Sequence, residues 1–245
     1  MARVRADLLL VQRGLAESRE QARQLIMAGQ VRSGTRTLVK PAEPLDPAAP
    51  LEVLEPLRYV SRGGLKLEAA LRDFGIDPAG LVCLDLGAST GGFTDCLLQH
   101  GAARVIAVDV GRGQLHHRLR GDPRVELLEG VNARSLPPLP PVDLVVADLS
   151  FISLEKVLPA AAARVPPRTP VIALLKPQFE AGPAEVPAGG VIRDPAVLER
   201  VRARFLAWAA AHGWETCGII PSPIRGGDGN TEYLVCLRTP PAGDA

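Results

Sequence analysis

From residue 64 onward, short apolar runs alternate with segments of helical length, and this alternation constrains the fold more than any other feature. Helices are predicted over Leu65–Phe74, from the glycine-rich segment 87–92 to His100, and over Pro195–His212. Strands separated by helices predict a parallel, doubly wound α/β sheet with ligands at the carboxyl ends of its strands. Only the loop PSPIRGGDGN separates the last two strands, which suits a hairpin, so one terminal strand is expected to be antiparallel. The seven predicted strands are Leu81–Leu86, Arg104–Val108, Val125–Leu128, Leu144–Ala147, Val171–Leu175, Trp214–Ile220 and Tyr233–Leu237.

The segment DLGASTGGF, which begins at Asp85, carries the first ligand signal. A strand runs through glycines into a helix N-terminus, where the backbone can approach a cofactor closely. The glycine spacing is G-x-x-x-G-G, not the G-x-G-x-x-G of dinucleotide enzymes. Asp109 ends the next strand, 24 residues after Asp85, where an acid can accept hydrogen bonds from ribose hydroxyls. The segment resembles the cofactor site of class I (Rossmann-like) methyltransferases.

This resemblance implies S-adenosyl-L-methionine as the cofactor and a set of residues around it. Asn132, after the third strand, is placed to contact the adenine, and Asp148 lies beside the expected methyl group. The cofactor-binding residues implied in this way are Asp85, Gly87, Ala88, Ser89, Gly91, Gly92, Phe93, Asp109, Asn132 and Asp148.

The first 40 residues are basic and have a different pattern. They hold eight Arg or Lys and three acids, a net charge of +5 in a chain whose total is +1. A helix is predicted over residues 5–16 with Gly14 as its C-cap, and Ser18 and Gln21 predict a capping box at the start of a second helix that ends at Gly29. Such asymmetry suggests a polyanion-binding module, and on charge alone an ordinary solvated helix face is an equal alternative. Short strands are predicted at Val31, Thr37–Val39 and Leu51–Leu54.

This N-terminal segment resembles the S4 RNA-binding domain, a small α+β module. The resemblance implies that the basic helix face rests on the RNA backbone, where phosphate contacts position the protein rather than select a sequence. The alternative is a helical hairpin that binds protein. The matching residues are Arg5, Asp7, Gly14-Leu15, Ser18-Arg19, Ala22, Ile26, Gly29 and Val31. The implied RNA-binding residues are Arg3, Arg5, Ser18, Arg19 and Arg23.

Lysine is rare in this chain, at four of the 28 cationic residues. Two of the four, Lys66 and Lys176, lie at positions where a catalytic residue is expected. Arg stays protonated at any useful pH, whereas the pKa of a Lys can fall when it is buried or placed near another cation. Lys66, Asp148, Lys176 and Glu232 are each expected at the carboxyl edge of the sheet or the rim beside it. This K-D-K-E set resembles that of the FtsJ-like RNA ribose 2′-O-methyltransferases.

The segments DLSFISL, KPQFEAGP, GGVIRDP and SPIRGGDGNTEYLV further resemble one family, the TlyA-type (hemolysin-like) rRNA methyltransferases. That resemblance covers nearly the whole chain. It implies an S4-like domain at residues 1–57, a linker at 58–62 and a methyltransferase domain at 63–240. It also implies 2′-O-methylation of cytidine in ribosomal RNA of the small or large subunit, with ribosomal RNA in a subunit or ribosome as the partner.

A ribose 2′-hydroxyl is a poor nucleophile, so it must be held in line with the methyl group and lose its proton as the bond forms. Lys176 is the residue expected to accept or to orient that proton. Lys66 would lower the pKa of Lys176, whereas Asp148 and Glu232 would favour its charged form. Base and orienting cation therefore both remain open. No metal is expected, because the His residues form no ligand pattern.

Other sequence features bear on the cellular location of the protein. The four cysteines show no C-x-x-C spacing, the N-terminus does not resemble a signal peptide, and no apolar run approaches membrane-spanning length. A cytoplasmic protein is expected, with no membrane partner; the oligomeric state is open, and a monomer is favoured. Residues 177–192 are expected to form a loop that orders over RNA. The rival functions are a non-catalytic ribosome assembly factor, a membrane-lytic protein and a methyltransferase of another RNA.

Overall fold

The computed structural model describes residues 3–27, 29–54, 58–182, 185–227 and 229–242. The chain forms two compact units, Met1–Arg62 and Gly63–Ala245. Residues 55–57, which end the predicted S4-like domain, and residues 183–184 and 228, which belong to two of the predicted loops, lie outside the described residues.

The N-terminal unit packs two short helices on small antiparallel sheets. Strand β1 pairs with β4, and β2 pairs with both β3 and β5. The apolar faces of the helices supply the core, in which Leu10, Ala22 and Ile26 are fully buried. The elements are β1 (Val4–Arg5), α1 (Ala6–Gln12), α2 (Arg19–Met27), β2 (Val31–Ser33), β3 (Arg36–Thr37), β4 (Pro44–Leu45) and β5 (Leu51–Val53).

The predicted ends of these helices are partly right. Gly14 has φ +68°, and the Leu15 amide donates to the Leu10 carbonyl, so the glycine does close α1. The helix nevertheless ends at Gln12, not at residue 16, because the chain has already turned at this cap. Ser18 accepts a hydrogen bond from the Gln21 amide, as predicted, but the Gln21 side chain accepts from the amide of Glu17, one residue before the expected position.

The second unit contains the predicted α/β sheet, and its strands match the predicted ones to within one residue at each end. The helix before the first strand begins two residues earlier than predicted, and the segment 177–192 starts with a helical turn instead of a loop. The elements are α3 (Gly63–Phe74), β6 (Val82–Leu86), α4 (Gly92–Gln99), β7 (Arg104–Asp109), α5 (His117–Arg120), β8 (Val125–Glu129), β9 (Leu144–Ala147), α6 (Leu158–Ala162), β10 (Pro170–Leu175), α7 (Pro177–Glu180), α8 (Pro195–Ala211), β11 (Glu215–Pro221) and β12 (Tyr233–Arg238).

The seven strands lie in the order β11-β12-β10-β9-β6-β7-β8. Strand β12 is antiparallel to both of its neighbours, which confirms the predicted terminal hairpin, and all other pairs are parallel. The central strands β9 and β10 are almost entirely buried, as expected for a sheet covered on both faces. This topology brings the carboxyl ends of β6, β7, β9 and β10 to one edge, which we call the carboxyl edge.

Candidate active site

The strand register places the glycine-rich turn between two of the predicted acids. Leu86 pairs with Val108 on one side and with Ala147 on the other. The residues that follow these partners are Asp109 and Asp148, so both acids flank the turn at the carboxyl edge. The amide of Asp148 also donates to the Leu86 carbonyl, which fixes the level at which Asp148 leaves the sheet.

Two glycines of the turn are required by its shape. Gly87 has φ +84°, and a Cβ at this position would come 2.5 Å from the carbonyl oxygen of Asp148. Gly91 has φ +97° and begins α4, and a Cβ there would collide with Leu119 and Leu115. Any side chain at either position would strain the backbone and meet a neighbour, so the turn requires glycine at both positions.

Asp109 organises this turn from the next strand. Its Oδ2 accepts a hydrogen bond from the Ser89 amide at 2.7 Å, and its Oδ1 accepts one from the Gly111 amide at 2.7 Å. Ser89 itself has φ +50°, a strained value that this bond helps to hold. Each carboxylate oxygen can accept a second hydrogen bond, so a ribose hydroxyl could still bind Asp109.

Asp85 is fully buried beneath the turn. Its Oδ2 accepts from the Thr94 hydroxyl at 2.6 Å, whereas no described donor reaches its Oδ1. Burial is the main cause that raises the pKa of Asp85 to about 7, and the negative charges of Asp148 and Asp109 act in the same direction. A buried acid without a cation partner, next to two further acids, is an environment that favours a positively charged ligand.

The other predicted cofactor residues divide into two groups. Ala88, Gly92 and Phe93 are buried, so the side chains of Ala88 and Phe93 pack beneath the turn rather than face solvent. Asn132 is exposed, its Oδ1 accepts from the Arg134 amide at 3.0 Å, and the preceding Val131 amide donates to the Asp109 carbonyl. Asn132 therefore follows the third strand of the sheet, β8, as predicted, and lies close to the end of β7, whereas its contact with the adenine stays a prediction.

The four residues of the predicted tetrad form two ion pairs. Lys66 on α3 donates to Glu232 Oε2 at 2.6 Å, although 166 positions separate them, and both side chains are buried. The backbone of Gly226 lies against the Glu232 carboxylate so closely that a Cβ would come 2.5 Å from Oε1. The loop between β11 and β12 thus covers this pair.

The second pair joins the loops after β9 and β10. The Nζ atom of Lys176 lies 2.7 Å from Asp148 Oδ1 and donates to the Ser150 hydroxyl at 3.0 Å. The Lys176–Asp148 contact has the distance of an ion pair but not the angles of a hydrogen bond. Leu175 pairs with Tyr233, so the residues beside them, Lys176 and Glu232, leave adjacent strands at the same level. The tetrad is therefore assembled at one edge, with two cations balanced by two acids.

Two exposed apolar side chains near this edge escaped the sequence analysis. Phe151, in the loop after Asp148, is 90% exposed and has φ +64°, and Val110, directly after Asp109, is 72% exposed. Single exposed apolar residues are common on protein surfaces, so it is the position of these two beside Asp109 and Asp148 that makes them candidates for ligand contact. Val110 directly follows Asp109 and Phe151 lies three residues after Asp148, but exposure itself cannot be deduced from an apolar residue type.

The predicted RNA-binding residues of the N-terminal unit are organised around an acid. Asp7 is fully buried and accepts hydrogen bonds from Arg5 at 2.8 and 2.9 Å and from Arg19 at 3.1 Å. These arginines, above all Arg5, hold its pKa down at about 2. The hydroxyl of Ser18 is used as a helix cap. Arg3 and Arg23 are exposed.

Among the residues that the structure describes, no three His, Cys, Asp or Glu side chains are grouped so that they could hold a metal ion. Nor does any helix in the described ranges combine the length and apolarity needed to cross a membrane.

Comparison with known proteins agrees with both units. The S4 domain model matches residues 4–49, and the FtsJ-like methyltransferase model matches residues 59–239. The Mycobacterium tuberculosis protein named 16S/23S rRNA (cytidine-2′-O)-methyltransferase TlyA is 49% identical over 242 residues, which cover 97% of this chain and 90% of that protein. The candidate rRNA methyltransferase YqxC of Bacillus subtilis is 48% identical over 246 residues, covering 98% of this chain and 87% of its own.

A solved structure also resembles the whole chain. It is a candidate hemolysin from Streptococcus thermophilus, 42% identical with a TM-score of 0.76, and the match covers 100% of this chain and 92% of that one. The FtsJ-like match alone spans well over half of the chain, and the relatives cover nearly all of it. The protein therefore belongs to the FtsJ-like methyltransferases that carry an N-terminal S4 domain, the TlyA-type family.

Proposed function

We propose that this protein transfers the methyl group of S-adenosyl-L-methionine to the ribose 2′-hydroxyl of a cytidine in ribosomal RNA, in the cytoplasm. The observation that carries the proposal is the pair of Lys–acid contacts, Lys66–Glu232 and Lys176–Asp148, assembled at the carboxyl edge beside the glycine-rich turn. The relative named as a 16S/23S rRNA (cytidine-2′-O)-methyltransferase supports the choice of substrate.

The residues at the edge fit the cofactor. When bound, S-adenosylmethionine supplies a methyl group on a positively charged sulfur, next to an ammonium group. The turn from Gly87 to Gly91 lies at the carboxyl edge, where its backbone would face the amino-acid part, and Asp85, whose Oδ1 receives no described hydrogen bond, would supply negative charge there. Asp109 would accept from the ribose hydroxyls, and the exposed Val110 and Asn132 would contact the adenine.

The chemical step needs the 2′-oxygen in line with the methyl group and a place for its proton. Lys176 is held at 2.7 Å from Asp148 and 3.0 Å from Ser150, so its ammonium group is fixed before RNA arrives. Such fixation lowers the entropic cost of alignment. Lys176 serves either as the base that accepts the proton or as the cation that orients the 2′-oxygen. The ion pair of Lys66 and Glu232 contributes to the electrostatic environment of Lys176.

RNA binding is assigned to residues 1–57, with 58–62 as linker and 63–240 as the catalytic domain. In this assignment Arg3, Arg5, Ser18, Arg19 and Arg23 contact RNA phosphates. The exposed ring of Phe151 offers a surface on which a base near the target ribose can stack. The partner is ribosomal RNA in a subunit or ribosome, and a monomer suffices for the tetrad because one chain supplies all four residues.

The test is methylation of naked ribosomal RNA, isolated subunits and whole ribosomes with labelled S-adenosylmethionine, followed by mapping of the modified nucleotide. Transfer to a cytidine 2′-oxygen of ribosomal RNA is expected. Cofactor binding without transfer to any of the three substrates would contradict the proposal and favour an assembly factor, and transfer to another RNA alone would replace the substrate.

Lys176→Arg separates the role of the lysine from its charge. The variant is expected to keep cofactor affinity and to lose at least about 100-fold in single-turnover rate, because Arg is larger and does not release its proton. A rate close to that of the wild type would remove Lys176 from the chemical step. The matched control is Lys156→Arg, a lysine outside the carboxyl edge, which is expected to leave the rate unchanged.

A further inference from the structure

The short helix α7 presents three side chains to the loop after β9. Lys176 is its N-cap, and the amides of Phe179 and Glu180 both donate to the Lys176 carbonyl, at 2.9 and 3.3 Å. Residues spaced at i, i+3 and i+4 lie on one side of a helical turn. Lys176, Phe179 and Glu180 can therefore all reach the same neighbour, residues 148–154, which we call the acid loop.

Glu180 holds the far end of the acid loop. Its Oε2 accepts a hydrogen bond from the Ser153 hydroxyl at 2.6 Å, and its Oε1 accepts one from the Leu154 amide at 2.8 Å. The carboxyl group is only 8% exposed, and its burial raises its pKa. Both oxygens are thus committed to the loop rather than to a cation.

The near end and the middle of the acid loop are held by the other two residues. Lys176 contacts Asp148 and Ser150, and the ring of Phe179 lies 5.2 Å from the ring of Phe151, measured between centroids. Phe151 needs such support, because a positive φ in a large residue costs free energy that surrounding contacts must offset.

Glu180 is itself tied to the long helix behind it. The guanidinium of Arg204 on α8 donates to the Glu180 main-chain carbonyl. Burial of a carboxylate is costly, and an apolar residue would fill the same space at lower cost. A buried carboxylate is useful here because it can accept from the Ser153 hydroxyl and the Leu154 amide at once, which no apolar group can do.

We propose that Glu180 is a positioning residue for methyl transfer. By fixing the acid loop, it keeps Asp148, Ser150 and Phe151 in their positions relative to Lys176. The inference rests on the proposed function for its kinetic consequence, but its structural consequence does not depend on any activity. Glu180 itself touches neither the 2′-oxygen nor the methyl group in this scheme. Its removal should therefore lower the rate of transfer without lowering cofactor affinity.

The experiment compares Glu180→Ala, Glu180→Gln and Glu185→Ala in the full-length protein. Glu185 is the matched control, because its carboxylate bonds to Arg200 and to the Gly182 amide and lies 3.9 Å from Arg204, but makes no bond to the acid loop. Three quantities are measured for each variant: the single-turnover rate on ribosomal RNA, the dissociation constant of S-adenosylmethionine, and hydrogen exchange of the amides in residues 148–154.

Glu180→Ala is expected to lose about 10- to 100-fold in rate, since a displacement of about 1 Å at a reacting group has this effect, with cofactor affinity within about threefold. The Leu154 amide is expected to exchange at least about tenfold faster. Glu180→Gln is expected to stay within about threefold of the wild type, because its Oε1 still accepts from Leu154 and the Ser153 hydroxyl can turn to accept from its amide. Glu185→Ala is expected to change none of the three quantities.

A rate loss in Glu180→Ala no larger than in Glu185→Ala overturns the proposal, and so does a normal rate combined with faster exchange. Equal losses of rate and cofactor affinity also overturn it, because they indicate a general defect. Should Glu180→Ala not fold, Ser153→Ala removes one of the two bonds and is expected to lower the rate by about threefold to tenfold with unchanged affinity; an unchanged rate overturns the proposal. If the wild type methylates no RNA, the proposed function fails. Unchanged exchange of the Leu154 amide in Glu180→Ala, or in Ser153→Ala if Glu180→Ala does not fold, then shows that Glu180 does not hold the acid loop.

Discussion

Asp7 in the N-terminal unit and Asp85 in the methyltransferase unit are both fully buried, yet their pKa values move in opposite directions. Two arginines donate to Asp7 and lower its pKa to about 2. Asp85 receives one hydroxyl bond, keeps one oxygen without a donor and has a pKa raised to about 7. Burial alone does not decide the charge of an acid, because partner groups can outweigh the cost of desolvation.

The contrast separates Asp7, whose hydrogen-bond partners stabilise the folded unit, from Asp85, for which we propose a bound ligand as the partner. The negative charge of Asp7 is satisfied within its own unit, where it orders two of the predicted RNA-binding arginines. Asp85 is left short of partners at the place where the proposed cofactor would bring positive charge. The following predictions test this contrast, beginning with the largest expected effect.

Asp85→Asn should weaken binding of S-adenosylmethionine about 10- to 100-fold, or about 1.4–2.7 kcal/mol, because it removes a charge from a buried, cation-binding environment. Calorimetry measures the affinity. Asp7→Asn is the control and should leave the affinity within about twofold. Equal affinities for wild type and Asp85→Asn would show that the two acids do not differ in function.

The same residue should make cofactor affinity depend on pH. If the ionised form of Asp85 binds the cofactor, affinity in the wild type should fall about tenfold between pH 8 and pH 6, across its pKa of about 7. Asp85→Asn should show a flatter profile over this range. A wild-type affinity that does not change from pH 8 to pH 6 would contradict the assignment.

Asp85→Asn should also change stability, in the direction opposite to its effect on binding. The folded-state pKa of Asp85 is raised, so its contribution to stability is complete below about pH 4 and is lost as pH rises through about 7. At pH 8 the neutral variant should therefore be more stable than the wild type by about 1–2 kcal/mol, and the difference should shrink as the pH falls and disappear below about pH 4. Urea unfolding followed by tryptophan fluorescence measures this, because both tryptophans, Trp208 and Trp214, lie in the methyltransferase unit. A variant that is less stable at pH 8 would be the contrary result.

Asp7→Asn should lower the stability of the N-terminal unit by about 1 kcal/mol at pH 7, a value reduced by the half-exposed position of its arginines. The folded-state pKa of Asp7 is lowered, so its contribution is present above about pH 4 and is lost as pH falls through about 2. Amides of α1 and α2 should exchange about fivefold faster in the variant. Unchanged exchange would mean that the two arginines do not stabilise the unit through Asp7.

The smallest effect concerns the arginines themselves. Arg23→Ala should weaken RNA binding about twofold to fourfold and lower the slope of log affinity against log salt by close to one. Arg19→Ala should change the slope less, because Asp7 already offsets part of its charge. Fluorescence anisotropy with a ribosomal RNA fragment at several salt concentrations compares the two variants. Equal slope changes would indicate that Asp7 does not reduce the charge available to RNA.

The seven-stranded sheet was predictable because its strands are apolar runs bounded by glycine, proline or charge, and because β9 and β10 are buried on both faces. The two-residue strands β1 and β4 were not predicted. Their pairing joins Val4 to Leu45, which are far apart in the sequence. A strand of two residues is too short to show the alternating apolar pattern from which a strand is predicted.

The tetrad could be placed at the carboxyl edge from its positions alone, but its pairing could not. Lys66 meets Glu232 rather than Asp148 because the antiparallel strand β12 lies between β10 and β11, a detail of strand order rather than of spacing. Asp7 was noted only as part of the S4 pattern. An acid within a strongly basic segment was the available signal, yet its burial between Arg5 and Arg19 is visible only in three dimensions.

The position of β12 has a consequence for folding during translation. The ion pair between Lys66 and Glu232 spans 166 positions, and β10 acquires its antiparallel neighbour only when Tyr233–Arg238 has emerged from the translating ribosome. Local contacts form the N-terminal unit long before that moment. If the N-terminal unit binds RNA as proposed, a growing chain can bind RNA before Tyr233–Arg238 completes its catalytic edge.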